Sequence, residues 1–273
     1  KKKTSPLLAI PGELRNKIYA YIYDTHIVVE MLSSRDRKER SSLIKPKATI
    51  CTSSTVDKPR PRWSPPLQQR TKPIETRGTL FRPTLAGLLL TCKQLNIEAS
   101  VFFYAQTTFQ FYTLNRLDNF LKVPTASTLA LVNHLKLDFN TYGHPGETQW
   151  ERYKEAHDAS LLRIFTLTAQ ALPGLTTLSL ILSVMDRPLR FTLAESWVAP
   201  LLAFSTTRNP RLKNVTVSLR SPWTKRKFMG KSAMWKTSVL THAFFSQAIR
   251  RIITGSDEEK ALVDYVRFIE QKY

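Results

Sequence analysis

The apolar positions of this chain fall into stretches of two different periods, separated by stretches with no period at all. Near the start, Pro11 suits the first turn of a helix, where its missing N–H costs nothing, and Glu13 favours the positive end of the helix dipole. Leu14, Ile18, Tyr21 and Ile22 follow at helical spacing and predict one apolar face. Ile27, Val28, Val29 and Met31 then read as a short extended segment. Residues 84–104 predict a second helix, with a stripe of Leu85, Leu88, Leu89, Cys92, Leu95, Ala99, Phe102 and Phe103, and with Lys93, Gln94, Asn96 and Glu98 largely opposite. The segment 107–112 alternates as a strand, and residues 115–122 read as a short helix ended by Pro124.

The second half repeats one theme. Residues 132–139, 175–182 and 212–219 each alternate apolar and polar, centred on Leu135, Leu178 and Val215, at intervals of about 40 residues. Leu172-Pro173-Gly174 precedes one of these segments and Arg208-Asn209-Pro210 another. Helical stretches at 148–171 and about 193–207 lie between them, and strand, helix and strand in succession imply parallel strands with helical crossovers. A further helix is predicted at about 236–253, closed by Gly255 as a left-handed cap. Ser256-Asp257-Glu258-Glu259 reads as a capping box opening a final helix that carries Leu262, Val263, Tyr265, Val266, Phe268 and Ile269. The fold class expected is α/β (α+β overall): an N-terminal helical segment packed on a C-terminal array of parallel strands with crossover helices. The apolar faces of the helices at 13–23 and 84–104 need each other, so whatever lies between them is excluded from one joint core.

Charge changes this picture most. The 273 residues carry 41 Lys and Arg against 21 Asp and Glu, a net charge of +20 that favours polyanions or acidic protein surfaces. It is concentrated in two places. Residues 33–83 hold 13 basic and 4 acidic residues, prolines at 46, 59, 61, 65, 66, 73 and 83, and no periodicity, and so read as a basic, flexible insertion. Residues 221–254 hold seven basic residues and no acidic one. There Trp223, Phe228 and Trp235 interleave with Lys225, Arg226, Lys227, Lys231 and Lys236, a pattern that either combines phosphate neutralisation with base stacking or sets core anchors beside a solvated face. Lys225-Arg226-Lys227 and the run Arg35–Arg40 also fit short nuclear-import signals.

Candidate chemistry is sparse. Cys51 and Cys92 are the only cysteines and neither has ligand spacing, which suits a reducing compartment; Cys92 reads as a small core residue. His26, His134, His144, His157 and His242 are scattered and read as structural or surface histidines. Asp138, Glu147 and Glu151 follow the first repeat strand and read as loop solubility or as the lining of an open sheet end. No nucleophile elbow, zinc-protease, phosphate-loop or dinucleotide fingerprint is present. The expectation is a protein with no catalytic, metal or cofactor-binding residues. With no apolar run of about 18 to 20 residues and no leader pattern at Lys1-Lys2-Lys3-Thr4, it is also expected to keep off membranes and to be soluble and intracellular, nuclear or cytoplasmic.

Two segments together carry a resemblance. Leu8-Ala9-Ile10-Pro11-Gly12-Glu13-Leu14-Arg15-Asn16-Lys17-Ile18-Tyr19 looks like the first half of a fungal F-box-like signature. Leu88 to Ala99, then Phe103-Tyr104 and Thr108-Phe109-Gln110-Phe111, looks like the second half. The departures are Ile10, where the family often has Leu, and Thr107, where it usually has Asn. The resemblance divides the chain into an F-box-like segment (7–32 and 84–122), the insertion at 33–83, and an irregular leucine-rich-repeat-like region at 128–273, although the usual 20–29-residue period of such repeats is not met. It implies a non-enzymatic protein-interaction adaptor such as an F-box-type substrate receptor of a ubiquitin ligase. Leu8, Pro11, Leu14 and Ile18 would then contact a Skp1-like adaptor, and the later repeat would hold a client. The alternative from charge is a nucleic-acid- or chromatin-associated protein acting through residues 33–83 and 221–254, with Trp223, Lys225, Arg226, Lys227, Lys231 and Trp235 as its contacts.

Overall fold

The structure, a computed structural model, describes residues 6–23, 28–31, 88–141, 148–185, 190–206, 212–221 and 232–271. The expectations for residues 33–83 and for 222–231 lie outside them. In chain order the elements are α1 (Pro6–Ala9), α2 (Gly12–Ile22), β1 (Val28–Met31), α3 (Lys93–Gln106), β2 (Thr108–Phe111), α4 (Leu114–Lys122), α5 (Ala126–Leu129) and β3 (His134–Asn140). They continue with α6 (Thr148–Ala171), β4 (Thr177–Ser183), α7 (Ala199–Thr206), β5 (Asn214–Arg220), α8 (Ser232–Ile253) and α9 (Glu258–Glu270). The fold is mixed α/β.

The five strands form one parallel sheet in the order β1-β2-β3-β4-β5. A sequential parallel order with crossovers of one hand sends every helical connection over the same face. The strand sequences show it. Leu135, Leu137 and Phe139 are buried, as are Leu178, Leu180 and Leu182, while His134, Lys136 and Asp138 alternate with the first set and Thr177, Ser179 and Ser183 with the second, only half-buried. The register stacks these apolar residues into rows across the sheet, such as Phe109, Leu135, Leu178 and Val215, and Phe111, Leu137, Leu180 and Val217. Onto that face α4 brings Leu117 and Phe120, α6 brings Leu161, Ile164 and Phe165, and α7 brings Leu201 and Phe204. Alternating burial, with Ile181 the one apolar residue on the half-buried side of β3 and β4, fits a parallel sheet covered on one face.

The strand starts repeat a device. The Asn133 carbonyl accepts from the amides of Thr176 and Thr177, both at 2.9 Å, and the Thr176 carbonyl accepts from those of Lys213 and Asn214, both at 3.0 Å. Gly174 sits in the turn before β4, where a Cβ would lie 2.1 Å from the Ala130 carbonyl oxygen. Only glycine allows the two turns to meet so closely.

Four local expectations change. The buried line of α2 is Arg15 and Tyr19, continued by Tyr23, whereas Leu14 and Tyr21 are exposed. The helix expected over 84–104 breaks within its described part, because Cys92 is extended (φ −156°, ψ 164°) and starts α3 as its N-cap. That turn places Cys92 at the surface, not in the core. Finally, Ser256 opens no capping box. Its N–H donates to Arg251 O (2.9 Å) and that of Gly255 to Ile252 O (3.0 Å), so both belong to the C-terminal closure of α8, with Gly255 at φ +97°. Asp257 is the N-cap of α9 without a side-chain cap bond, its carboxylate pairing with Lys260 at 3.2 Å instead.

Candidate interaction surfaces

The two halves of the N-terminal segment are joined by a polar clamp. The Arg15 guanidinium donates to both carboxylate oxygens of Glu98, at 2.8 and 2.7 Å, and to the carbonyl oxygen of Ile10 at 2.6 Å. The Tyr19 hydroxyl (3.0 Å) and Gln94 Nε2 (3.0 Å) donate to the same carboxylate. A carboxylate with this many donors is strongly favoured in its charged form. Arg15 first, then Gln94 and Tyr19, hold Glu98 down to about 2, and Glu98 in turn raises the Arg15 guanidinium. Beneath the clamp, Tyr19, Tyr23, Leu95 and Ala99 form a small core, against which Leu7, Leu8, Ile22 and Phe102 pack. Burial pushes the Tyr23 hydroxyl up to about 12.

A clamp on one side of α2 frees the other. Leu14 is 48% exposed and Tyr21 89%, and Pro11 is exposed at the head of the same stripe. The turn before α3 contributes Leu90 at 83% and α3 itself Ile97 at 70%, and these two, with Leu89, Cys92, Lys93 and Asn96, line a shallow surface pocket of about 420 Å3. Of the four residues expected to contact an adaptor, Pro11 and Leu14 are therefore exposed, Ile18 is half-buried, and Leu8 is half-buried against the small core. The sequence placed Tyr21 in the apolar stripe of the first helix and named neither Leu90 nor Ile97 as a partner contact. Their signal was there, since a helix with more apolar residues than one core-facing stripe needs has some to spare for a partner.

The candidates of the nucleic-acid reading are not brought together by the described structure. Trp223, Lys225, Arg226, Lys227 and Lys231 lie outside the described residues, as does the side chain of Trp235, whose backbone is in α8; Lys236 is exposed. Elsewhere the polar side chains serve tethers. Asp158 on α6 accepts from Lys154 Nζ and from Ser196 Oγ, both at 2.7 Å, fixing the segment before α7. Burial alone would raise the Asp158 carboxyl, but the neighbouring His157 ring, whose Nδ1 lies 3.6 Å from Oδ1, and the hydrogen bonds from Lys154 and Ser196 outweigh it and hold the group below its ordinary value. Among the described residues no cluster of three or more His, Cys, Asp or Glu is placed to hold a metal ion, and no helix is long and apolar enough to cross a membrane.

These features define a class: a one-faced parallel α/β array with a clamped helical unit at its N-terminal end that carries exposed apolar residues. Residues 1–203 match the family described as a domain of unknown function, DUF7730, and the chain belongs to that family. No curated protein matches it, and no solved structure does.

Proposed function

We propose that this protein is a non-enzymatic protein-interaction adaptor of the F-box type. In this reading the Pro11, Leu14, Ile18 and Tyr21 face of α2 docks on a Skp1-like adaptor of a ubiquitin ligase, and the strand array holds a client. The observation that carries it is the exposed apolar stripe of α2. The helix buries an arginine and a tyrosine against Glu98 while leaving Leu14 and Tyr21 in water, and an apolar face that the protein's own core does not use marks an interaction site.

The test is affinity purification of the full chain from its native cell, with nuclease treatment in parallel, comparing wild type with Leu14→Asp. Recovery of a Skp1-like protein by wild type and its loss with the folded variant is the expected result. Equal recovery by both, or no such protein, overturns the ligase reading. Capture that disappears on nuclease treatment, and that weakens steeply with salt and with charge reversal at Lys225, Arg226 and Lys227, replaces it with the nucleic-acid one.

A further inference from the structure

The charge of this chain is unevenly spread. Residues 196–256 carry eleven Lys and Arg and no Asp or Glu, more than half of the net +20. They include β5 and α8, which lie side by side at the end of the sheet, where Leu219 N–H donates to Ser246 Oγ (3.2 Å). Between these two elements runs an open groove of about 610 Å3. Its floor is sealed. Val215, Leu219, His242 and Ser246 are all buried, and Ser246 Oγ donates onward to the His242 carbonyl (2.6 Å).

The walls, by contrast, are within reach of a ligand. On the strand side Thr216 and Arg220 are exposed and Ser218 is half-buried, all three on the face of the sheet that the crossover helices leave uncovered. On the helix side Val239, Ala243, Gln247 and Arg250 are exposed and follow one another at i, i+4, i+8 and i+11, one stripe of α8. Lys236, also exposed, continues that stripe toward the start of the helix. Arg251 is taken up by Asp264 at 2.6 Å. The side chains of Thr216, Ser218, Arg220, Gln247 and Arg250 have no hydrogen bond or ion pair among the described residues.

These unused groups are donors without a matching acceptor. The walls offer two guanidinium forks, one amide and two hydroxyls, and no carboxylate. The chain that fits them carries acceptors and negative charge along its length, as a phosphodiester backbone does, and Arg, Gln, Ser and Thr are side chains that meet phosphates. An added peptide strand fits less well, because the sealed floor gives its own N–H and C=O groups no ladder to join. A double helix fits less well too, since the walls stand on two directly packed elements and leave room for one backbone between them.

We propose that this groove binds single-stranded nucleic acid by its phosphates, with Arg220 and Arg250 each pairing with a phosphate and Thr216, Ser218 and Gln247 donating to oxygens between them. The site lies at the opposite end of the sheet from β1 and does not rest on the adaptor reading. It is also distinct from the run Lys225-Arg226-Lys227, which lies outside the described residues.

The probe is a fluorescein-labelled oligothymidylate of about 15 nucleotides, near the upper site size of one small domain, titrated into the full chain and followed by anisotropy. Log affinity should fall linearly with log salt. Arg220→Gln and Arg250→Gln should each weaken binding about threefold and reduce the salt slope by about 0.7. The double variant should weaken it about tenfold, with the circular dichroism unchanged because both residues are exposed. Arg267→Gln, an exposed arginine on α9 that does not line the groove, should change nothing. A double-stranded oligonucleotide of the same length should bind wild type and double variant alike. The proposal is overturned if the oligothymidylate does not bind, or if the duplex loses as much as the single strand. It is overturned too if the double variant keeps wild-type affinity and slope, which would assign binding to basic residues elsewhere. Displacement by polyglutamate of equal charge as readily as by unlabelled oligothymidylate would make the groove a site for acidic protein and equally overturn it.

Discussion

The two ends of the molecule keep their halves together by opposite means. The strand array is held by a broad apolar core in which each element's pattern points inward, from Phe109 on β2 to Ile253 on α8. Among its described residues the N-terminal segment buries four apolar side chains, and one carboxylate, Glu98, gathers Arg15, Tyr19 and Gln94. The array also leaves apolar side chains at the surface, among them Val123, Tyr153, Leu162 and Leu167. What sets the clamped unit apart is that Leu14 and Tyr21 are exposed on a helix whose buried line is Arg15 and Tyr19. The two ends share Phe103, which meets Tyr23 at 5.5 Å and Phe109 at 5.5 Å.

The largest effect should come from the array. Phe165 is buried between Phe139 (5.7 Å) and Phe204 (5.6 Å), and Phe165→Ala should cost about 3–5 kcal/mol in denaturant unfolding. Because Phe103 joins the ends, unfolding should remain a single transition whether followed by far-ultraviolet circular dichroism or by tyrosine fluorescence. Two separate transitions would divide the molecule where we have joined it.

The clamp is the next place to press, and pH is the tool. Glu98 lies at about 2 in the folded chain against an ordinary 4.5, so its contribution is complete above 4.5 and is lost as pH falls through the interval down to about 2. The denaturation midpoints of wild type and Glu98→Gln should therefore differ most near neutral pH and converge as pH approaches 2. A constant gap across that range would mean that the Arg15–Glu98 pair does not carry the difference.

Much of this comparison was legible in the sequence, but unequally. The alternation at Leu135, Leu137 and Phe139 and its two repeats gave the sheet, and the crossover expected at 148–171 is α6. Alternation is a local signal that burial on one face writes directly into the chain. The inward face of α2 was not legible in that way. Its stripe of Leu14, Ile18 and Tyr21 outweighs Arg15 on any hydrophobicity scale, and what turns Arg15 inward is a carboxylate 83 residues away. A faint signal existed, since the first half of the signature carries Arg15 beside its apolar stripe and the second carries Glu98. The groove at β5 had none, because it depends on Ser246 of α8 reaching the amide of Leu219.

The smallest effect is the most telling for function. Leu14→Asp replaces a half-exposed leucine on a helix whose packing runs through Arg15 and Tyr19, so the fold should lose no more than about 0.5 kcal/mol. A core leucine replaced by aspartate would instead cost several kcal/mol through its buried, unpaired charge. Urea midpoints of wild type and variant, measured at neutral pH, separate the two cases. Near-coincident midpoints place Leu14 outside the core and make any loss of partner capture an effect on the surface itself. A large drop would instead place Leu14 inside the packing, and the contrast between a helix buried through Arg15 and Tyr19 and a core built from apolar pattern would fail at its first residue.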